Sequence, residues 1–153
     1  MKKDMLVSAI ENGTVLDQIP ASKSLMITRL LRLEDDPSFV AIAMRVKSKK
    51  MGTKDIIKIQ GRELTSDELD ALGLISPGVT YVIVKDYEVV SKRKVEIPSE
   101  VSGILKCINP TCASNFREPI VPSFKIIESN PLLLRCDFCD RVMLEENVLA
   151  QFK

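Results

Sequence analysis

Two close pairs of cysteines in the last third of the chain constrain its fold more than any other feature. Cys107, Cys112, Cys136 and Cys139 read C-x4-C-x23-C-x2-C, and histidine is absent from the whole sequence. Two such pairs, separated by about the length of two strands, can fold back to make one tetrahedral thiolate site. Zn2+ suits that donor set because it is borderline-soft and favours four ligands. Four protein ligands close the coordination sphere and leave no position for an activated water. The expected role of the metal is therefore to hold a fold. The alternative is two disulfides, which require an oxidising compartment. The first residues, Met1 to Ser8, carry charge but lack the apolar stretch and cleavage site of a signal peptide. No run approaches the length of a membrane span. A cytoplasmic location with reduced thiols is the expectation, with no membrane partner. A redox role for Cys136-x-x-Cys139 would have no need of the upstream pair.

All four cysteines follow a polar stretch, Ser91 to Glu100, that contains Pro98. We place a domain boundary there, giving residues 1–98 and 99–153. The first part is long enough to build its own core; a second part of about 55 residues ordinarily needs a staple, which the metal supplies. With 5% aromatic residues and no Trp, the cores must be mostly aliphatic. Residues 1–98 carry 16 Lys and Arg against 14 Asp and Glu, and residues 99–153 carry 6 against 7. A zinc tetrathiolate adds about −2 to the second part. A zinc ribbon that grips nucleic acid would be basic, so neither DNA nor RNA is an expected partner.

The first part alternates strand and helix signals. Thr14–Ile19 reads as a strand stopped by Pro20. Ser24–Leu33 has helical apolar spacing. Phe39–Val46 has so little polarity that it reads as a strand buried on both faces for most of its length. Ser48–Gly52 is a basic turn, and Lys54–Gln60 a further strand. Thr65-Ser-Asp-Glu68 is a capping box opening a short helix, with Gly73 as its expected stop. Thr80–Val84 and Tyr87–Val90 complete the part as strands. The order β-α-β-β-α-β with an extra strand predicts an α+β, ferredoxin-like sandwich with both helices on one face of an antiparallel sheet. The last part shows no helix signal. Val101–Lys106, Ser123–Glu128, Leu132–Arg135, Arg141–Leu144 and Asn147–Phe152 read as short strands, a small all-β zinc-binding domain.

Several motifs, in order, resemble one known family. They are Ala9-Ile10, Gly13-Thr-Val-Leu-Asp17 and Ile19-Pro20, then Met51-Gly52-x-Lys54-Asp55-x-Ile57-Lys58-Ile59. Tyr87-Glu-Val-Val90 ahead of Lys92 and the cysteine pattern with Asn109 inside its first pair complete the set. Together they resemble the regulatory subunit of aspartate carbamoyltransferase along almost the whole chain. The resemblance implies an N-terminal domain that binds nucleoside triphosphates (CTP, ATP, UTP) as effectors and pairs with a second regulatory chain. It implies a C-terminal zinc domain that docks onto the catalytic chain, so that regulatory homodimers bridge catalytic trimers. It implies no active site on this chain: catalysis, the committed step of pyrimidine biosynthesis, belongs to the partner.

Carried over by motif position, the implied nucleotide contacts are Ala9, Ile10, Asp17, Lys58, Val84, Tyr87, Val89 and Lys92. Asp17 can accept from ribose hydroxyls, Lys58 can reach base and ribose, and Lys92 can meet phosphate as a point charge. Each also has a plainer reading. Asp17 can be a polar strand end, Lys58 simply alternates with Ile57 and Ile59, and Lys92 can be a solvated residue of a basic linker. Two positions depart from the family pattern: Gln18 stands where the family often has His, and Val82 where it often has Asn. Both make the phosphate end of the site poorer, so weaker or altered triphosphate binding is expected. In the zinc domain the resemblance implies catalytic-chain contacts at Asn109, Thr111 and Asp140. Two rival classes compete with a regulatory subunit. A nucleic-acid-binding zinc ribbon meets the acidic balance of the second part. An enzyme meets the absence of histidine, of an open metal site and of a nucleophile motif.

Overall fold

The computed structural model describes residues 9–116 and 119–152; the first eight residues, read above for a targeting signal, lie outside them. The N-terminal elements are β1 (Gly13–Pro20), α1 (Ser24–Leu30), β2 (Val40–Ser48), β3 (Gly52–Gln60), α2 (Ser66–Ile75), β4 (Thr80–Lys85) and β5 (Glu88–Lys94). They make one antiparallel sheet in the order β2-β3-β1-β4-β5. This is the expected β-α-β-β-α-β sandwich, with the extra strand added beside β4. Successive strand residues face opposite sides, so Leu16, Ile57, Ile59 and Tyr81 line the helix side. They are buried there with Ile27 and Leu31 of the first helical segment and Leu72 and Ile75 of α2. Each fully buried Leu or Ile stabilises the fold by roughly 1.5–3 kcal/mol.

The second sheet is β6 (Glu100–Ser102), β7 (Ser123–Ser129), β8 (Leu132–Cys136) and β9 (Val142–Leu144), in sequence order and antiparallel, followed by α3 (Glu145–Ala150). Its core of Phe124, Leu134, Cys136 and Met143 is continuous with the core under α1 and α2. The two sheets therefore share one buried cluster, joined where α2 meets β6.

Five expectations need correction. Residues 145–150 form a helix, not a strand. Glu145 and Glu146 occupy its electropositive first turn, Asn147 Oδ1 accepts from the Leu144 amide at 2.8 Å, and Val148 is buried. The expected strand Val101–Lys106 ends at Ser102, because Gly103 takes φ +75 and its N–H bonds Pro122 O at 2.9 Å. The first helix stops at Leu30, where Arg32 turns left-handed (φ +55) into a single 3-10 turn, Leu33–Asp35. β2 is an edge strand with half-exposed residues, Ile42 among them, rather than a strand buried on both faces. Gly73 lies inside α2, which continues to Ile75 and is capped at Ser76.

The capping box at Thr65 is as expected. Thr65 Oγ1 accepts from the Glu68 amide at 3.2 Å, and Glu68 Oε1 accepts from the Thr65 amide at 3.0 Å. The other oxygen of Glu68 pairs with Arg62, which also pairs with Asp36 and donates to Leu31 O at 3.2 Å. Arg62 thus ties the end of the first helical segment to the start of α2. An Arg62→Ala variant removes all three contacts together and is expected to melt roughly 2–4 °C lower. The loss should shrink in high salt, because both carboxylates are partly exposed. Differential scanning calorimetry at two ionic strengths checks this.

Candidate functional site

The four cysteines converge. Their sulfur atoms all lie within 4.8 Å of one another, with Cys107 Sγ and Cys139 Sγ 3.6 Å apart and Cys112 Sγ and Cys136 Sγ 3.7 Å apart. Zn–S bonds of about 2.3 Å in a tetrahedron give sulfur separations of about 3.8 Å. Disulfide sulfurs sit at about 2.05 Å, so the spacing matches a metal site, and the four thiols are free. Cys136 closes β8 and Cys139 follows in the tight turn before β9, held by Asp140 N donating to Cys136 O at 3.0 Å. Cys107 and Cys112 bracket a loop pinned by Asn115 Nδ2, which donates to Cys107 O at 2.9 Å and Asn109 O at 2.8 Å.

In each pair the amide two residues beyond the first cysteine points at its sulfur. Asn109 N lies 3.5 Å from Cys107 Sγ, and Phe138 N lies 3.4 Å from Cys136 Sγ. These donors favour thiolate, while burial opposes it. Burial, countered by the Asn109 amide and reinforced by Cys139 and Cys136, pushes the Cys107 thiol up to about 12. Burial likewise pushes Cys136 up, against the amides of Phe138 and Cys139. At Cys139 burial is outweighed by the Arg141 amide, the Asn109 side chain and its sulfur neighbours, which hold the thiol at about 7. A divalent cation supplies the positive charge that lets all four ionise together. The site is closed by protein ligands, so a bound zinc would act structurally.

Asn109 and Thr111 serve the loop first. Asn109 Oδ1 accepts from Thr111 N at 3.1 Å and from Thr111 Oγ1 at 2.9 Å. Asp140 is exposed in a left-handed turn conformation (φ +63). The three sit around the metal site on its loop and its tight turn.

The face of the N-terminal sheet away from the helices gathers most of the other candidates. Register places Val15 opposite both Lys58 and Val82, and Val82 opposite Lys92. Cross-strand partners share a face, so Lys58 and Lys92 lie on this side with Asp17. Ile10 is buried here against Val15, Val82 and Val84, an apolar floor separate from the main core. Burial lowers the Lys58 ammonium from its ordinary value, and the Asp17 carboxylate partly restores it. Lys92 belongs to β5 rather than to a linker. Tyr87 and Val89 are exposed in and after the β4–β5 turn, which is tied down by Tyr87 N donating to Glu11 O at 2.9 Å. Ala9 is exposed beside Ile10.

Two further cations share this face. Lys54 Nζ pairs with Asp17 Oδ1 at 2.8 Å, and Lys94 lies opposite Thr80, two residues beyond Lys92. The sequence signal for both was available in the two-residue strand spacing. Gln18 occupies a bulge in β1 with φ +56. Its Oε1 is buried with no hydrogen-bond partner among the described residues. Val82 contributes to the apolar floor. A cleft of about 640 Å³ beside Arg29, Lys106 and Cys107 contains none of these residues.

Comparison with known proteins agrees with both halves of this arrangement. The family model described as "aspartate carbamoyltransferase regulatory chain, allosteric domain" matches residues 5–96. The model for the metal binding domain of the same chain matches residues 99–149. The aspartate carbamoyltransferase regulatory chain of Korarchaeum cryptofilum is 44% identical over 153 residues, covering 99% of this chain and 98% of that one. Those of Thermococcus sibiricus and Thermoplasma volcanium are 46% and 44% identical, each over at least 96% of both chains. With a metal-binding cysteine cluster in one half, a matching allosteric domain in the other and relatives aligned end to end, the chain belongs to the aspartate carbamoyltransferase regulatory chain family.

Proposed function

We propose that this chain is a non-catalytic subunit that senses nucleoside triphosphates and passes their effect to an aspartate carbamoyltransferase catalytic chain. On this reading residues 1–98 form the effector domain and residues 99–153 the zinc domain. The observation that carries it is the convergence of Asp17, Lys58 and Lys92 over the apolar floor of Ile10, Val15, Val82 and Val84. An apolar floor accepts a base, the carboxylate accepts ribose hydroxyls, and the lysines meet a triphosphate. Ala9, Tyr87 and Val89 would rim the base, with CTP, ATP and UTP as effectors. Exposed Phe39 and Ile42, at the free edge by β2, offer a surface for a second regulatory chain. In the zinc domain, Asn109, Thr111 and Asp140 would face the catalytic chain. The chain would act in the cytoplasm in pyrimidine biosynthesis; among the described residues no helix is long and apolar enough to cross a membrane.

Isothermal titration with CTP and ATP tests the effector site. Wild-type chain should bind both, and Lys92→Ala should bind triphosphate about 10-fold more weakly, the loss of roughly one charge-assisted contact. Nucleoside without phosphate should bind the variant and the wild type alike. Absence of heat or competition at millimolar nucleotide would sink the reading.

A further inference from the structure

The segment joining the two sheets is held at every step. Val95, directly after β5, is buried; its N–H donates to Val79 O, and its carbonyl accepts from Gly78 N, both at 2.8 Å. Next, the Glu96 carbonyl lies close against α2 at Gly73. A Cβ at position 73 would sit 2.2 Å from Glu96 O and 3.3 Å from Pro98 Cδ. Glycine at 73 is therefore required by close approach of the backbone, in mid-helix, where glycine is otherwise unfavourable. Ile97 packs on the shared core, and Ser99 O accepts from Ile126 N of β7 at 3.0 Å. Five residues thus run from backbone hydrogen bonds with the turn before β4 at one end to a hydrogen bond with β7 at the other, pressed onto a helix between them.

We propose that residues Val95–Ser99 are a strap whose seating on Gly73 couples the effector face to the zinc half of the chain. This rests on the nucleotide-sensing reading above and adds the route by which sensing is transmitted. The strap continues β5 without a break, and β5 presents Lys92 and Lys94 on the proposed ligand face. A ligand that draws in those lysines displaces β5. With Val95 bonded to the turn before β4 and Pro98 stiff at φ, that displacement reaches Ser99 and β7 instead of dissipating in a slack linker. Gly73 sets the height at which the strap crosses α2. It touches neither the ligand face nor the metal, so its part is positioning.

The test uses the complex with catalytic trimers and compares wild type with Gly73→Ala, which lifts the strap, and Pro98→Gly, which loosens it without a clash. Three quantities are read: nucleotide affinity by calorimetry, the nucleotide-induced change in activity, and hydrogen exchange at the Ile126 amide. Both variants should keep zinc, association and affinity within about 2-fold, while an effector response of about 5-fold or more in wild type falls below about 2-fold. The nucleotide-dependent change in Ile126 exchange should vanish with it. If Gly73→Ala does not fold, Pro98→Gly carries the same readout. An undiminished response in a folded variant overturns the strap alone. A wild-type chain that binds no nucleotide overturns the sensing reading and the strap with it.

Discussion

Replacing Cys136 by serine is expected to abolish metal binding and unfold the zinc half of the chain. Cys136 is fully buried and sits between Cys112 Sγ at 3.7 Å and the Phe138 amide at 3.4 Å. A serine hydroxyl does not ionise near neutral pH, so the variant offers three thiolates and a buried, unpaired hydroxyl. A structural zinc contributes about 10–16 kcal/mol of apparent folding free energy. A core of this size supplies only about 3–5 kcal/mol unaided. The metal term exceeds the whole remaining stability, so losing it cannot be absorbed. Zinc content should fall from about one per chain to near none. The amides that pair β7 with β8 should lose exchange protection, and dye binding should report exposure of Phe124, Leu134 and Met143. Chelation of the wild-type chain should reproduce each change. A Cys136→Ser chain with β7–β8 amides still protected would overturn the structural assignment.

That unfolding should also be felt beyond the metal. Phe124 and Leu134 belong to the same buried cluster as Leu72 and Ile75. Losing the second sheet exposes the side of α2 that meets β6, and the strap over Gly73 loses its anchor at Ile126. The N-terminal sheet keeps the pairing of β1 with β3 and β4, which owes nothing to the metal. Zinc removal is therefore expected to leave a folded but less stable N-terminal half and, on the docking proposed above, to release the catalytic chain.

The features legible in the sequence are those whose physics is local. Four thiols at paired spacing can satisfy one tetrahedral ion, and the structure gathers them. The capping box at Thr65 needs only four consecutive residues. Alternation in Lys54–Gln60 and the β-branched run of β1 revealed strands, and with the helix signals gave the sandwich order. What escaped depends on distant partners. Val148, Ala150 and Phe152 alternate as a strand would, yet the same stretch places two glutamates in a helical first turn; burial of Val148 against the second sheet decides between them. An apolar run such as Phe39–Val46 cannot say whether its strand will be central or at an edge. Gly73 looked like a stop because glycine often ends helices, whereas its purpose is the strap that crosses 23 residues later in the chain. The candidate ligand face was partly legible: resemblance named Asp17, Lys58 and Lys92, but their meeting depends on register across β3, β1, β4 and β5. Two-residue spacing also pointed to Lys54 and Lys94, but their place beside this site, like the bulge at Gln18, comes from the register.

Asp55→Ala is the other substitution with a large expected effect, although no motif marked this residue as more than one charge in Met51–Ile59. Asp55 is wholly buried. Its Oδ2 accepts from Ser24 Oγ at 2.5 Å, Ser22 N at 3.1 Å and Ser24 N at 3.3 Å, and its Oδ1 accepts from Arg45 N at 2.9 Å. One carboxylate thus joins the turn after β1, the first turn of α1 and the bulge in β2, where Arg45 is left-handed at φ +60. Burial alone would raise its pKa; the Ser24 hydroxyl and the Arg45, Ser24 and Ser22 amides outweigh burial and hold it below the ordinary carboxylate value. Alanine leaves those donors without an acceptor, each costing roughly 1–3 kcal/mol where water cannot replace it. The expected loss is about 3 kcal/mol or more in denaturant titration at pH 7. Asparagine keeps one acceptor oxygen but turns an NH2 toward donors, so it should recover only part. Because the folded pKa is depressed, the stability from ionised Asp55 is complete above the unfolded value of about 3.9 and is lost as pH falls through the lower folded value. Wild type and Asp55→Ala should therefore differ most near neutrality and draw together as pH falls below the unfolded value of about 3.9. A difference that stays constant through that range would mean that packing, not the charge, sets the importance of this position.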